Sequence, residues 1–134
     1  DQWFPEAARI MSLKGADLLI YPTAIGWMQS EPETIYPRQQ DSWMTIMRGH
    51  AIANRTFVVA ANRTGTEGEL DFWGTSFTAA PDGYLIQKAD TNFSGVLFSE
   101  IDLSETEENR HWWPHFRDRR PELYKDILKI WGTP

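Results

Sequence analysis

The chain has 134 residues, 41% of them hydrophobic and 24% charged, an ordinary globular mix long enough for one domain that buries about 65–70% of its unfolded surface. It has no cysteine, which excludes a disulfide framework, a thiolate metal site and a cysteine nucleophile within these residues. A net charge of −6 argues against a nucleic-acid partner, and no apolar run approaches the ~18–20 residues that span a bilayer, so no membrane partner is expected.

Pro5 and Glu6 have the chemistry of a first helical turn, with Ala7, Ile10 and Met11 following at i, i+3, i+4 and Gly15 as the stop. Leu18-Leu19-Ile20-Tyr21 is a short apolar run of the kind buried on both faces of a sheet, and Pro22 is expected to end it. Residues 22–40, punctuated by Pro22, Gly26, Pro32 and Pro37, read as a long loop. Asp41 or Ser42 then caps a helix to about Asn54, with Trp43, Ile46, Met47, His50 and Asn54 on one stripe. A second buried strand covers 56–61 and stops at Asn62-Arg63-Thr64-Gly65.

A polar loop is expected at 66–71, then strands over 72–80 and 84–88 flanking the hairpin residues Pro81-Asp82-Gly83. Residues 96–101 read as a fifth strand. Asp102 with Glu105, or Ser104 with Glu107, makes a capping box for a short acidic helix. Pro121 opens a helical tail with Tyr124, Ile127, Leu128 and Trp131 on one face. The order α-β-α-β-β-β-β-α suggests a layered α/β fold. Seven tryptophans point to a ring-lined core or interface.

Six blocks in this order carry a resemblance. They are Asp1-Gln2-Trp3-Phe4-Pro5-Glu6-Ala7-Ala8-Arg9, then residues 15–26 with Tyr21-Pro22-Thr23-Ala24-Ile25-Gly26, then Arg48-Gly49-His50-Ala51-Ile52-Ala53-Asn54, then Ala61-Asn62-Arg63-Thr64-Gly65, then Phe72-Trp73-Gly74-Thr75-Ser76-Phe77 with Pro81-Asp82-Gly83, and finally Arg117-Asp118-Arg119-Arg120-Pro121-Glu122-Leu123-Tyr124. Together the blocks resemble the nitrilase superfamily of carbon–nitrogen hydrolases, in particular members of the N-carbamoylputrescine amidase type. The resemblance implies a Glu-Lys-Cys triad whose positions all precede Asp1, the Cys by two places. It implies that residues 1–134 are the C-terminal half of a single domain with a four-layer α-β-β-α sandwich. A chain of this kind, produced alone, is expected to be poorly soluble; a monodisperse preparation of 1–134 that melts cooperatively would contradict this.

By the same resemblance, no cofactor and no metal is required, and the substrate is a small amide or N-carbamoyl amine. The enzyme would be cytoplasmic and a homodimer or larger oligomer. The helices from Pro5 and from Asp41 are candidates for its interface, with the tail reaching across. Candidate pocket residues are Trp3 and Phe4 after the nucleophile turn, Tyr21, Thr23 and Ala24 past a strand end, and Glu31. Ser30-Glu31-Pro32 is similar to a Ser-Glu-Pro of plant members, where a carboxylate can pair with the far ammonium of carbamoylputrescine. Here Trp27-Met28-Gln29 stands inserted before it. Members acting on N-carbamoyl amino acids carry arginines where Gln2 and Trp3 stand, which favours an amine substrate.

Other readings stay open at this point: an amidase, nitrile or N-carbamoyl amino acid hydrolase, or a non-catalytic fragment that binds a partner. His111 and His115 have a zinc-like spacing, but Pro114 between them breaks the helix it needs. His50 reads as a hydrogen-bonded packing residue, residues 117–120 as an ion-pair network, and Glu105, Glu107 and Glu108 as a solvated helix face.

Overall fold

Pro5 occupies the first turn of α1 (Pro5–Leu13), where a missing N–H costs nothing, and Glu6 beside it complements the positive helix end. The computed structural model describes residues 1–131. The buried face of α1 is Ala8 and Ser12, while Ile10, Met11 and Leu13 face outward. Ala7, Ile10 and Met11, spaced i, i+3, i+4, are therefore not the buried face. Periodicity shows which residues share a face, and the face with small side chains is the one that lets α1 lie against α2 (Tyr36–Asn54).

That second helix starts earlier than the sequence suggests. Pro37 lies in its first turn rather than in a loop. Tyr36 is held there by Trp27, whose ring stacks on it at 4.9 Å and whose Nε1–H donates to the Tyr36 carbonyl at 3.0 Å. The inward stripe is as read for Trp43, Met47, His50 and Asn54, which are buried and joined by Met44 and Ala51, while Ile46 is only partly buried at its side. Arg55 closes the helix in the left-handed region, φ 48°.

β1 (Leu18–Thr23), β3 (Phe57–Asn62), β6 (Phe77–Ala79) and β7 (Leu85–Lys88) form a four-stranded sheet in the order β1-β3-β6-β7. β1 and β3 are parallel, with Leu18 opposite Phe57 and Thr23 opposite Asn62. β1 runs through Pro22, contrary to expectation. It is the edge strand of this sheet, where a missing donor is tolerated. One sheet face supplies Leu19, Tyr21, Val58, Ala60, Phe77 and Ala79 to the core shared with α2. The other face is partly bare, since Ile20 is 61% exposed although it lies opposite Val59. β1 is therefore buried on one face only.

A second, three-stranded sheet, β2-β5-β4, was not expected. Its strands are β2 (Gly26–Met28), β4 (Thr64–Glu67) and β5 (Leu70–Trp73). The segment read as one strand over 72–80 is broken by Gly74 and Thr75, both at positive φ (54° and 52°). A side chain at Gly74 would also strike the Thr91 carbonyl, so β5 and β6 part at this residue. The Pro81-Asp82-Gly83 turn joins β6 and β7 as read, with the Gly83 N–H donating to Ala80 at 2.8 Å.

Residues 96–101 form no strand. Val96 and Phe98 are exposed; strand propensity without strand pairing leaves the chain merely extended. α3 (Ser104–Trp112) follows, but the capping box does not form. The Asp102 carboxylate instead accepts from Ser104 N–H at 2.9 Å and Ser104 Oγ–H at 2.7 Å, which holds that carboxyl below the usual range. Two 3₁₀ turns (Pro121–Leu123 and Lys125–Leu128) replace the expected tail helix, leaving Ile127, Leu128 and Trp131 exposed.

Candidate functional site

The parallel strands β1 and β3 end together at Thr23 and Asn62, and the chain leaving β1 is fixed there by one side chain. Asn62 Oδ1 accepts from Ile25 N–H at 2.9 Å, and Nδ2 donates to the carbonyls of Ile25 (3.0 Å) and Gly74 (2.9 Å). Thr23, half-buried, and Ala24, exposed, are thus set at the strand exit. Gly26 follows because β2 approaches β5 so closely that a side chain would strike the Asp71 carbonyl.

Tyr21 is buried, and burial pushes its phenol above the ordinary range. Its hydroxyl has no hydrogen-bond partner among the described residues. Its ring stacks on His50 at 5.9 Å, and His50 Nε2 lies 2.8 Å from the Gln2 carbonyl, an arrangement in which Nε2 carries the proton. Trp43 Nε1–H donates to Gln2 Oε1 at 2.9 Å. Gln2 is therefore gripped at main chain and side chain by two buried residues of α2, while the next two residues, Trp3 and Phe4, are exposed.

Glu31 follows β2 and is half-buried. Its Oε2 accepts from Gln39 Nε2 at 3.0 Å. Gln39 and Trp43 are i and i+4 on α2, so one helix face holds Glu31 and Gln2 about one turn apart, about 6 Å along the axis. The six sequence candidates accordingly fall into two groups. Tyr21, Thr23 and Ala24 lie along β1 and its exit, with Trp3 and Phe4 tethered beside Tyr21 through Gln2 and His50. Glu31 reaches the same helix from the other sheet.

The residues that do this positioning, Gln2, Gln39, Trp43, His50 and Asn62, are not among the sequence candidates. The i, i+4 spacing of Gln39 and Trp43 is a signal the sequence carries. Nothing local marks Asn62 as the partner of a backbone 37 residues away.

The other constellations resolve into packing. His111 packs edge-on against Trp112, whereas His115 approaches Arg55. Among the described residues no cluster of His, Asp and Glu has the geometry of a metal site. Arg117 pairs with Asp118 at 2.7 Å, which lowers the Asp118 carboxyl, and Arg120 pairs with Glu122. These local pairs are the ion-pair reading of that run. No helix among the described residues is long and apolar enough to cross a membrane.

The family model "Carbon-nitrogen hydrolase" matches residues 1–111. The chain is 46% identical over 133 residues to the citrullinase of Francisella tularensis, covering 96% of this chain and 46% of that protein. It is 46% identical over 141 residues to the N-carbamoylputrescine amidase of Arabidopsis thaliana, covering 99% of this chain and 46% of that protein. Among solved structures, the carbon–nitrogen hydrolase from Helicobacter pylori G27 superposes with a TM-score of 0.94 at 47% identity, over 98% of this chain and 47% of that one. The chain thus spans about half the length of the curated relatives it matches.

Proposed function

Because the chain belongs to the carbon–nitrogen hydrolase family, we propose that it is the C-terminal half of an amidase that hydrolyses N-carbamoylputrescine to putrescine, carbon dioxide and ammonia. The observation that carries this reading is the placement of the Glu31 carboxylate one turn of α2 from the anchor of Gln2. Identity to N-carbamoylputrescine amidases over nearly the whole chain supports it. The nucleophilic Cys is placed two positions ahead of Asp1, with the triad Glu and Lys further upstream.

In this mechanism the Glu takes the thiol proton, and the thiolate attacks the carbamoyl carbon. The Lys and the backbone N–H after the Cys stabilise the oxyanion. Ammonia leaves, water cleaves the S-carbamoyl intermediate, and the carbamate loses carbon dioxide to free the amine. This chain does the positioning. His50 and Trp43 fix Gln2 and so the turn that carries the nucleophile. Tyr21, Thr23 and Ala24 line the strand exit with Trp3 and Phe4. Glu31 takes the far ammonium. The enzyme works in the cytoplasm as a homodimer or larger oligomer, and the outward Ile10, Met11 and Leu13 of α1 and the exposed tail support an interface there.

The citrullinase relative favours a second reading. Citrulline is the same N-carbamoyl chain with a carboxylate added beside the ammonium, so Glu31 would serve either substrate. Ammonia release from the two, assayed side by side on the intact protein, separates them: carbamoylputrescine should give the larger kcat/KM, and a preference for citrulline would replace the first reading. In the intact protein, Glu31→Gln should raise KM for carbamoylputrescine by about tenfold or more, the worth of one charge-assisted hydrogen bond, with kcat little changed. An unchanged KM would remove Glu31 from the pocket.

A further inference from the structure

At the opposite end of the sheet, where β1 and β3 begin, guanidinium groups gather that the amidase mechanism does not use. A cleft of about 70 Å³ opens there, lined by Asn54, Arg55, Arg110, Trp113, His115 and Arg117 among others. It is far smaller than the several hundred Å³ of a substrate pocket, yet large enough for more than one water. Its volume suits a carboxylate- or phosphate-sized group.

The donors are unequal. Arg110 is committed: it bonds Asp17 at 3.0 Å and the Ala16 carbonyl at 2.7 Å, docking α3 onto the α1–β1 turn. Arg117 is paired with Asp118. Arg55 has no acidic partner among the described residues. Its guanidinium lies over the Trp113 ring at 5.3 Å, its Nη2 is 3.4 Å from His115 Nε2, and its Nε is buried without a partner among the described residues. A buried unpaired N–H of a charged group is costly, and an anion in the cleft would satisfy it.

Two further observations shape the ligand. Arg9 and Arg110 both lie over the Phe116 ring, 5.1 and 5.2 Å from its centroid. Burial, and then the charge of Arg119, lower the basicity of Arg9. The buried Asn54 Oδ1, also in the cleft wall, lacks a donor among the described residues. Donors on Arg55 beside an acceptor on Asn54 suit an oxyanion that retains a proton.

We infer that this cleft binds a small oxyanion of the hydrogen-phosphate class, held chiefly by Arg55, with Asn54, His115 and Arg117 around it. The test is thermal melting of the intact protein in inorganic phosphate against sodium chloride of equal ionic strength. Phosphate should give a saturable rise of about 2–4 °C at about tenfold its Kd. Arg55→Asn, which keeps a residue tolerant of the left-handed backbone, should abolish that rise. Arg117→Gln, at an exposed side chain, should reduce it and serves if the first variant does not fold.

Because the readout is the phosphate-dependent difference within each protein, a lower melting point of a variant does not mimic loss of binding. An equal rise in wild type and variants would overturn the site. So would no rise beyond chloride. If Arg55→Asn then melts well below wild type in both salts, a carboxylate of the protein itself fills the cleft instead. Carbamoylputrescine hydrolysis plays no part in this measurement, so its outcome is independent of the amidase reading.

Discussion

Trp43→Ala should lower the stability of the intact protein by about 3–5 kcal/mol, measured by denaturant unfolding. The indole is fully buried, tilted against Trp73 at 5.9 Å and edge-on to Phe77 at 5.5 Å. Truncation leaves a cavity between α2 and the sheet that neither ring can fill without leaving its own contacts. It also strands Gln2 Oε1. Trp43→Phe separates the two effects: it keeps most of the packing, loses the hydrogen bond, and should cost about 1–2 kcal/mol. If Gln2 positions the nucleophile turn as proposed, Phe should also lower kcat with little change in KM. A loss of under about 1 kcal/mol for Trp43→Ala would mean that this ring is not the centre of the core.

Asn62→Ala should cost about 2–3 kcal/mol and reduce kcat/KM by roughly tenfold or more. The side chain makes hydrogen bonds to both backbone groups of Ile25 and to the Gly74 carbonyl, tying the β1 exit to the β5–β6 break. Without it the Ile25 N–H and the Gly74 carbonyl lose this partner, the Ile25 carbonyl keeps only the longer bond from the Trp73 N–H at 3.4 Å, and the segment bearing Thr23 and Ala24 is loosened. Asn62→Asp is the sharper variant. It is nearly isosteric and can still accept from Ile25 N–H, but it presents a lone pair to two carbonyls where the amide donated. It should be at least as damaging as Ala. If Asp were tolerated, the two donor bonds would carry no weight and the clamp would be wrong.

The two variants probe features of different legibility. The stripe of α2 that carries Trp43 follows from its helical spacing, because apolar residues three and four apart face one way whatever lies opposite. The role of Asn62 does not follow, because its partners are fixed only when β1, β3 and the β5–β6 break are assembled. The same contrast holds for the site candidates. Tyr21 is foreseeable in an apolar run before a Pro. That Glu31 and Gln2 share one face of α2 depends on where β2 returns the chain.

The sequence by itself determined the helix start at Pro5, the two apolar strands, the Pro81-Asp82-Gly83 hairpin, the inward stripe of α2 and, through six ordered blocks, the family. Each rests on local chemistry: a fixed φ, a missing N–H, a repeat that matches a helix or strand. The tertiary structure decided the rest. Thr64–Glu67 is a strand without apolar alternation because Leu70–Trp73 pairs with it. Residues 96–101 are strand-like in composition yet join no ladder; Ser99 Oγ meets Thr78 Oγ1 of β6 at 2.8 Å, a side-chain contact in place of strand pairing. α2 reaches back to Tyr36 because Trp27 holds it, and α1 turns Ala8 rather than Ile10 inward because close helix packing needs the smaller side chain. A strand exists only with its partner and a buried face only with its neighbour, so these outcomes were settled by contacts far apart in the chain.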